Sequence, residues 1–547
     1  MVDIMNLFKK ITIPIIILLI VLLSTTGVLA ENTTDTQVVF EEDFVITELS
    51  AIPSGNPVTL SANTELPSYY SSKDEGYTTT VKTQGLTNNC WAYSATTIME
   101  ILLNKNGLYN GTFSTSHIDN WATVNEDGVG WVRSFRTTGG YSNIPIGYLT
   151  SWLGPRLEAI FNDNMSKLPF DGLLLDEYPE YAVTSIINLT TSDDETIKTA
   201  IMEYGSVWAS YSHIDKYLSE DDTSYCNNST NETSGEHAIT VIGWDDNYSK
   251  ENFDGAGQPT KDGAWIIQNS WGEFNSIGGY MYVSYEDSNL FSDDFDSFAV
   301  SGYQQVKSNN KIYQLETLGS VYTPALQNRY GKNVVFMNVF DFDENTTIDK
   351  ILFEYQHIGN DYDLYYVPID STTGKPNIRS QLWTKIGSGT VDYNGVICND
   401  ITDIDIASGK GAIAVCIKSD SSGTTYGVGI CSDYENIVTT TKYQENVSYI
   451  ATQLTSTSSI YTLPYAYSDR QLVIKAITYD KTHIYNMGDV NMDDNINIKD
   501  ATLIQKHIVE LRLLNDDELA LADYDDDLSI NGNDVLLIQK YSAGYQH

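Results

Sequence analysis

The sequence predicts a multidomain chain, with an α+β domain first, an all-β sandwich after it and a small α-helical module at the end. Three observations point there. A helix-period apolar segment at residues 91–104 is followed, much later, by apolar strands that start near His237 and Gly263. From about residue 305 to 478, short strand-like runs alternate with Gly/Asp/Asn/Ser turns and no long helical pattern. From residue 489 an acidic loop and the helix pattern behind it recur once, 34 residues on.

At 547 residues the chain is too long for one hydrophobic core. Its formal charge of -42 excludes nucleic acid and anionic membrane surfaces as partners, because both would repel it. Residues 488–547 carry 13 acids against 4 Lys/Arg, so most of the acidity is spread over the rest as a solvated surface.

The N-terminal stretch reads as an export signal. Lys9 and Lys10 precede an apolar run at 11–23, and small residues lead to Val28-Leu29-Ala30, a cleavage pattern ending at Ala30. A retained anchor is the competing reading, since 11–30 is about long enough to span a bilayer, but Pro14, Ser24 and Thr25 weaken it. The expected location is outside the cell, secreted or attached to its surface. Five cysteines in so long an exported chain do not make a disulfide scaffold. Cys398, Cys416 and Cys431 suffice for one bridge whose pairing the sequence leaves open. Residues 31–65 are polar and Thr/Ser-rich and read as a linker or short propiece.

Residues 91–104 place Trp91, Ala95, Ile98, Met99, Leu102 and Leu103 on one buried stripe. Cys90 then sits at the first helical turn, where the dipole and free N–H groups lower a thiol pKa and favour the nucleophilic thiolate. Gln84, six residues earlier, is close enough for its side-chain amide to join a backbone N–H around an oxyanion. His237 heads an apolar strand that Gly243 ends, and Asn269 ends a second strand between Trp265 and Trp271. A Cys–His pair needs a third group to fix the imidazole tautomer, and an Asn oxygen accepting the Nδ1–H meets that need.

Residues from about 66 to 300 resemble the papain family of cysteine peptidases. Gln84 and Cys90-Trp91-Ala92 match its oxyanion glutamine and nucleophile loop, His237-Ala238 its histidine strand, and Asn269-Ser270-Trp271-Gly272 its asparagine motif. Gly139-Gly140-Tyr141 resembles the glycine pair whose backbone bonds an extended peptide. The resemblance implies a helical half facing a β half, and peptide-bond hydrolysis with no cofactor. In that scheme His237 takes the proton of Cys90, Gln84 and the Cys90 N–H hold the oxyanion, and Trp271 shields the His237–Asn269 bond. The chain departs from the family in three ways. Thr87, Asn88 and Asn89 stand where the family has a structural cysteine, so the disulfide that braces this loop is missing, and Cys226 is left without its family partner. Asn269 follows Cys90 by 179 residues, more than is usual, which a polar surface insertion at 245–262 accounts for.

Strand-like runs at 333–338, 350–355, 362–367, 412–417 and 471–477 set the sandwich. In texture and position it resembles the lectin-like domain found beside such peptidases, which implies carbohydrate as a further partner. Tyr362, Tyr365, Tyr366 and Trp383 suit stacking on sugar rings or a place in a core, and the strand-rich setting favours the core.

In the tail, oxygen side chains fall at positions 1, 3, 5, 9 and 12 of two loops, the shell a Ca²⁺ ion takes. They are Asp489, Asn491, Asp493, Asn497 and Asp500, and Asp523, Asp525, Asp527, Asn531 and Asp534. Asn495 and Ser529 hold position 7, where the backbone carbonyl is the ligand. Residues 488–547 resemble a type I dockerin, which implies structural calcium and a cohesin domain on a scaffold protein as partner. In that family the partner meets the faces behind each loop, here including Ile498, Lys499, Gly532 and Asn533. The turn glycine at position 6 is replaced by Asp494 and Leu528.

The expected partition is a signal peptide (1–30), the linker or propiece (31–65), the papain-like domain (66–303), the lectin-like sandwich (304–479), a linker (480–487) and the dockerin (488–547). The expected function is an exported cysteine peptidase tethered to a cohesin-bearing complex. The competing reading is an adhesion or carbohydrate-binding protein whose peptidase-like domain is inactive, and retention of Gln84, Cys90, His237 and Asn269 favours the enzyme.

Overall fold

The computed structural model describes residues 44–47 and 65–545, apart from 125–129, 163–172, 174–176, 321–324, 329–332, 378, 419–424, 433–437, 440–445, 452–459 and 463–469. The signal-peptide expectation lies outside the described residues. Among them, no helix is long and apolar enough to cross a membrane.

Helix α1, Cys90–Lys105, forms where the apolar spacing places it. It is not a one-stripe helix, however, since every residue from 91 to 103 is buried. Such all-round burial belongs to a helix inside a domain. Its neighbours are α2 (Thr115–Trp121) and α3 (Asn143–Thr150), and the strand Glu236–Asp245. Helix α4 (Asp194–Tyr204) is capped by Asp193, whose side chain accepts from Thr196 N, and ends on Gly205 at a left-handed φ of 88°.

The β half is one part of a 12-stranded sheet. Strands Tyr181–Asn188, Ser297–Gln305, Val207–Ser212, Glu236–Asp245, Ala264–Gln268 and Tyr280–Ser284 are neighbours in that order. Their registers pair Tyr211 with His237 and Thr240 with Gln268, so the residues singled out on two distant segments reach the same sheet end. The 246–263 connection between the fourth and fifth of these strands carries only the short 3-10 turn Lys250–Asn252, as an insertion would.

The sandwich is not an independent appendage. One of its sheets has six strands, Thr384–Thr390 to Ile460–Thr462, with Gly409–Lys418 and Asn333–Phe342 at the centre. The other continues the peptidase sheet, because Gly395 and Val396 pair with Ile187 and Ile186. Phe44–Thr47, in the segment expected to be a linker, pairs with Ala325–Asn328. No disulfide joins the five cysteines, so the bridge among Cys398, Cys416 and Cys431 does not form, and Cys226 is buried. Tyr362 and Trp383 are core residues, and Tyr365 and Tyr366 are partly buried.

The tail folds as α5 (Ile498–Ile508), α6 (Asp516–Ala522) and α7 (Gly532–Ser542) around Val490, Ala501, Ile504, Val535 and Ile538. Helix α6, between the two copies of the repeat, had no counterpart in the sequence reading. It has a capping box of its own, Asn515 with Glu518.

Candidate active site

Four segments converge on one cleft of about 570 Å³ lined by Gln84, Cys90, Gly139, Gly140, Glu236 and His237 among others. Cys90 opens α1, and its Sγ receives the backbone N–H of Ala238 at 3.5 Å. Burial pushes the thiol up, while the N–H groups of Ala238 and Trp91 pull the other way. The expected lowering by the helix N-terminus is therefore outweighed by desolvation.

His237 is 7% exposed and Asn269 3%. The imidazole Nε2 donates to Asn269 Oδ1 at 2.9 Å. The bond expected at Nδ1 is thus made by Nε2, which leaves Nδ1 for the cleft and Cys90. Burial holds His237 down to about 4, with the Asn269 bond opposing and His213 adding to the depression. The ring of Trp271 stacks on that of His237.

Gln84 is fixed at both ends of its amide. Ser270 Oγ donates to Oε1 at 2.6 Å, and Nε2 donates to Thr87 O at 2.7 Å. Backbone bonds hold the same loop to the asparagine segment, with Gln84 N donating to Ser270 O. The Thr87 carbonyl only accepts, so the bond to it fixes which end of the amide carries the hydrogens, and that end points along the loop that leads to Cys90.

Gly140 lies against Trp91, where a Cβ would stand 2.7 Å from the indole. Gly139 also lines the cleft and has nothing within 4 Å of its would-be Cβ.

His213 was missed by the sequence reading. Tyr211 OH and His213 Nδ1 share a bond of 2.9 Å, Asp215 lies 3.4 Å from Nε2, and the ring meets Trp271 edge-on at 4.9 Å. Nothing in its local sequence marks it, since the sheet alone brings it beside Trp271.

A structure search places this arrangement among known folds. The clostridial cysteine protease Cwp84 after propeptide cleavage matches at 32% identity and a TM-score of 0.66, over 76% of this chain and all of that one. The chain belongs to the papain family of cysteine proteases. The papain-family model matches residues 175–294, which include His237 and Asn269, while Gln84 and Cys90 precede them. A second Cwp84 structure, of the cysteine protease and lectin-like domains of this surface layer associated protein of Clostridium difficile, matches at 32% identity and TM-score 0.67, over 78% of this chain and 91% of that one. A lectin-like domain matches at 312–478 and a type I dockerin domain at 487–541. Mouse cathepsin J is 25% identical over 234 residues, and the chain spans 62% of that protein's length. This papain-family protease is thus multidomain, with lectin-like and dockerin domains after the peptidase.

The dockerin loops repeat in backbone as well as in sequence. Met492 and Asp494 in the first, and Asp526 and Leu528 in the second, take left-handed φ between 56° and 69°. Position 9 caps the next helix in both, with capping boxes Asn497/Asp500 and Asn531/Asp534. Asp523, Asp525 and Asp527 each present an oxygen within 4.8 Å of the others. That clustered all-oxygen donor set fits a calcium ion.

Proposed function

We propose that the chain is an exported cysteine endopeptidase in which Cys90 is the nucleophile, His237 the general base, Asn269 the group that orients it, and Gln84 with the Cys90 N–H the oxyanion donors. The observation that carries this is the convergence of Cys90, His237 and Gln84 in one cleft, with His237 Nε2 engaged by Asn269. An extended peptide lies along Gly139 and Gly140, whose edge offers backbone groups and no side chain.

Burial disfavours a lone charge on either Cys90 or His237, so the thiolate forms only together with the imidazolium, each offsetting the other. Proton transfer from Sγ to Nδ1 yields the thiolate that attacks the peptide carbonyl. The imidazolium gains from the Asn269 bond and the stacked indole, and the sulfur from the Ala238 N–H. The protonated imidazole then passes its proton to the leaving amine, and water, deprotonated by the same nitrogen, releases the acyl group.

In the tail, calcium would be held by Asp489, Asn491, Asp493, Asn497 and Asp500 with the Asn495 carbonyl, and by Asp523, Asp525, Asp527, Asn531 and Asp534 with the Ser529 carbonyl. Its role is structural, through neutralised carboxylates. The module tethers the enzyme to a cohesin domain outside the cell. Lys499 is bonded to Glu180 of the peptidase at 2.9 Å, whereas Gly532 and Asn533 are exposed.

The test is incubation of the calcium-loaded protein with unfolded β-casein, with and without a thiol alkylator, beside Cys90→Ala. Cleavage that the alkylator and the variant both abolish is expected. Cleavage that survives in Cys90→Ala removes the reading.

A further inference from the structure

The disulfide that braces the nucleophile loop in papain-like enzymes is absent, yet the loop is not loose. Residues 133–140 run as a strap between α2 and the cleft. Asn88 N donates to Arg136 O at 2.8 Å, and Asn88 Nδ2 to Thr137 O at 2.7 Å, which ties the strap to the residues just before Cys90. Arg136 sits at a left-handed φ of 63°, with its own N–H given to Asp119 Oδ2 at 2.9 Å. One residue thus passes the connection from the nucleophile loop to α2.

Arg133 fastens the rest. Its Nη1 bonds Asp119 Oδ1 at 2.6 Å and the Asp119 and Ala122 carbonyls, Nη2 bonds Thr138 O at 2.7 Å, and Nε bonds Gly139 O at 3.2 Å. The side chains of Arg133 and Asp119 are 3% and 0% exposed. The guanidinium also lies 4.7 Å from the centre of the Trp91 ring, the ring against which Gly140 is fitted. A single planar cation therefore fixes the carbonyls of Thr138 and Gly139 relative to the residue that follows Cys90.

We propose that Arg133, held by Asp119, is the positioning residue for the substrate-binding edge, and that this non-covalent strap does the work of the missing disulfide. It touches neither the reacting atoms nor Cys90 Sγ, and acts by setting where Gly139 and Gly140 stand. The guanidinium is needed for its geometry as well as its charge. A lysine ammonium places three donors on one atom and does not span a carboxylate and two separate carbonyls. The proposal rests on the cleft being the substrate groove, and the experiment separates the two.

Binding of unfolded β-casein is measured by calorimetry on full-length Cys90→Ala, with and without Arg133→Lys, and the rate of Cys90 alkylation by iodoacetamide is measured with Arg133→Lys alone. The expected result is a Kd raised on the order of tenfold, with the alkylation rate within about twofold of the parent, because the small reagent does not use the strap. An unchanged Kd overturns the proposal, even if the melting temperature falls, since Arg133 is then only structural. A parallel loss of alkylation also overturns it, because the whole site has then collapsed. Asn88→Ala changes an exposed residue and severs only the side-chain bond to Thr137. It is expected to raise Kd about threefold, the worth of one modest hydrogen bond. If Arg133→Lys does not fold, an unchanged Kd in Asn88→Ala overturns the proposal. A parent protein that binds casein through the strap but does not cleave it removes the peptidase reading and leaves the strap standing.

Discussion

The indole of Trp271 lies 21° from the plane of the His237 imidazole, with 4.9 Å between their centres. It covers a ring whose Nε2 already bonds Asn269. That cover keeps water from competing for the bond and offers a π face to the imidazolium formed during attack. Trp271→Ala is expected to lower kcat on casein about tenfold with a smaller change in KM, and Trp271→Phe to recover part of it. Equal kcat in the alanine variant and the parent, by steady-state kinetics, would show that the indole serves only packing.

The two cleft glycines are predicted to behave differently. A methyl at Gly140 meets the Trp91 ring at 2.7 Å, and Trp91 is fully buried. Gly140→Ala is expected to destabilise the protein by about 1–3 kcal/mol, the usual penalty for overpacking. At Gly139 the methyl enters open space. Gly139→Ala is expected to leave the melting temperature unchanged while raising KM, because the methyl stands where the peptide backbone would approach. Thermal melts and casein kinetics on the two variants decide this, and a cold-stable Gly139→Ala with unaltered KM would move the substrate path elsewhere.

Local patterns were legible in the sequence and long-range ones were not. Helix α1, the strand that carries His237 and the 34-residue repeat of the tail each rest on spacing within one short segment. The sheet shared by peptidase and sandwich depends on Gly395 meeting Ile187, over two hundred positions apart, and no local period announces it. The surroundings of the Cys90 thiol are a further case. The helix start is a local signal favouring thiolate, whereas burial pushes the thiol up and the Ala238 N–H from a distant strand draws it down, and neither is announced by the local sequence. The Arg133–Asp119 pair joins two elements through buried charge, and an Arg and an Asp 14 residues apart carry no mark of that.

His117 supplies a pH dependence outside the cleft. Its Nε2 lies 2.9 Å from Leu173 O, which only accepts, so Nε2 carries the hydrogen and Nδ1 accepts from Tyr148 OH at 2.7 Å. Burial holds this neutral ring down to about 3, against 6.5 for an exposed histidine. In the unfolded chain the ring takes up a proton below about pH 6.5, while in the fold it does not until about pH 3. The stability tied to the neutral ring is therefore complete above pH 6.5 and drains away on acidification towards 3. His117→Gln is expected to flatten the fall in melting temperature across that window relative to the parent. Buried acids such as Asp287, raised to about 6, act in the opposite sense but equally in both proteins. Parallel slopes in the two would mean that His117 does not contribute.

Calcium removal is predicted to unfold the tail. Its core is small, centred on Val490, Ala501, Ile504, Val535 and Ile538, and a module of this size rarely supplies enough apolar burial by itself. Two further terms work against it without metal. Asp523, Asp525 and Asp527 hold oxygens within 4.8 Å of one another, and like charges so close repel. Met492, Asp494, Asp526 and Leu528 all occupy left-handed backbone, which costs non-glycine residues about 1 kcal/mol or more each. Asp494 and Leu528 stand at the sixth loop position, where a glycine would remove that cost. Bound calcium offsets both terms through the same carboxylates that otherwise repel. Excess chelator is expected to remove the helical circular dichroism of α5 and α7 and to open residues 488–545 to protease, with calcium restoring both. Leu528→Gly is expected to increase calcium affinity at the second loop, measured by titration. Helical signal that persists in excess chelator would mean that the small core and the three capping boxes hold the module without metal.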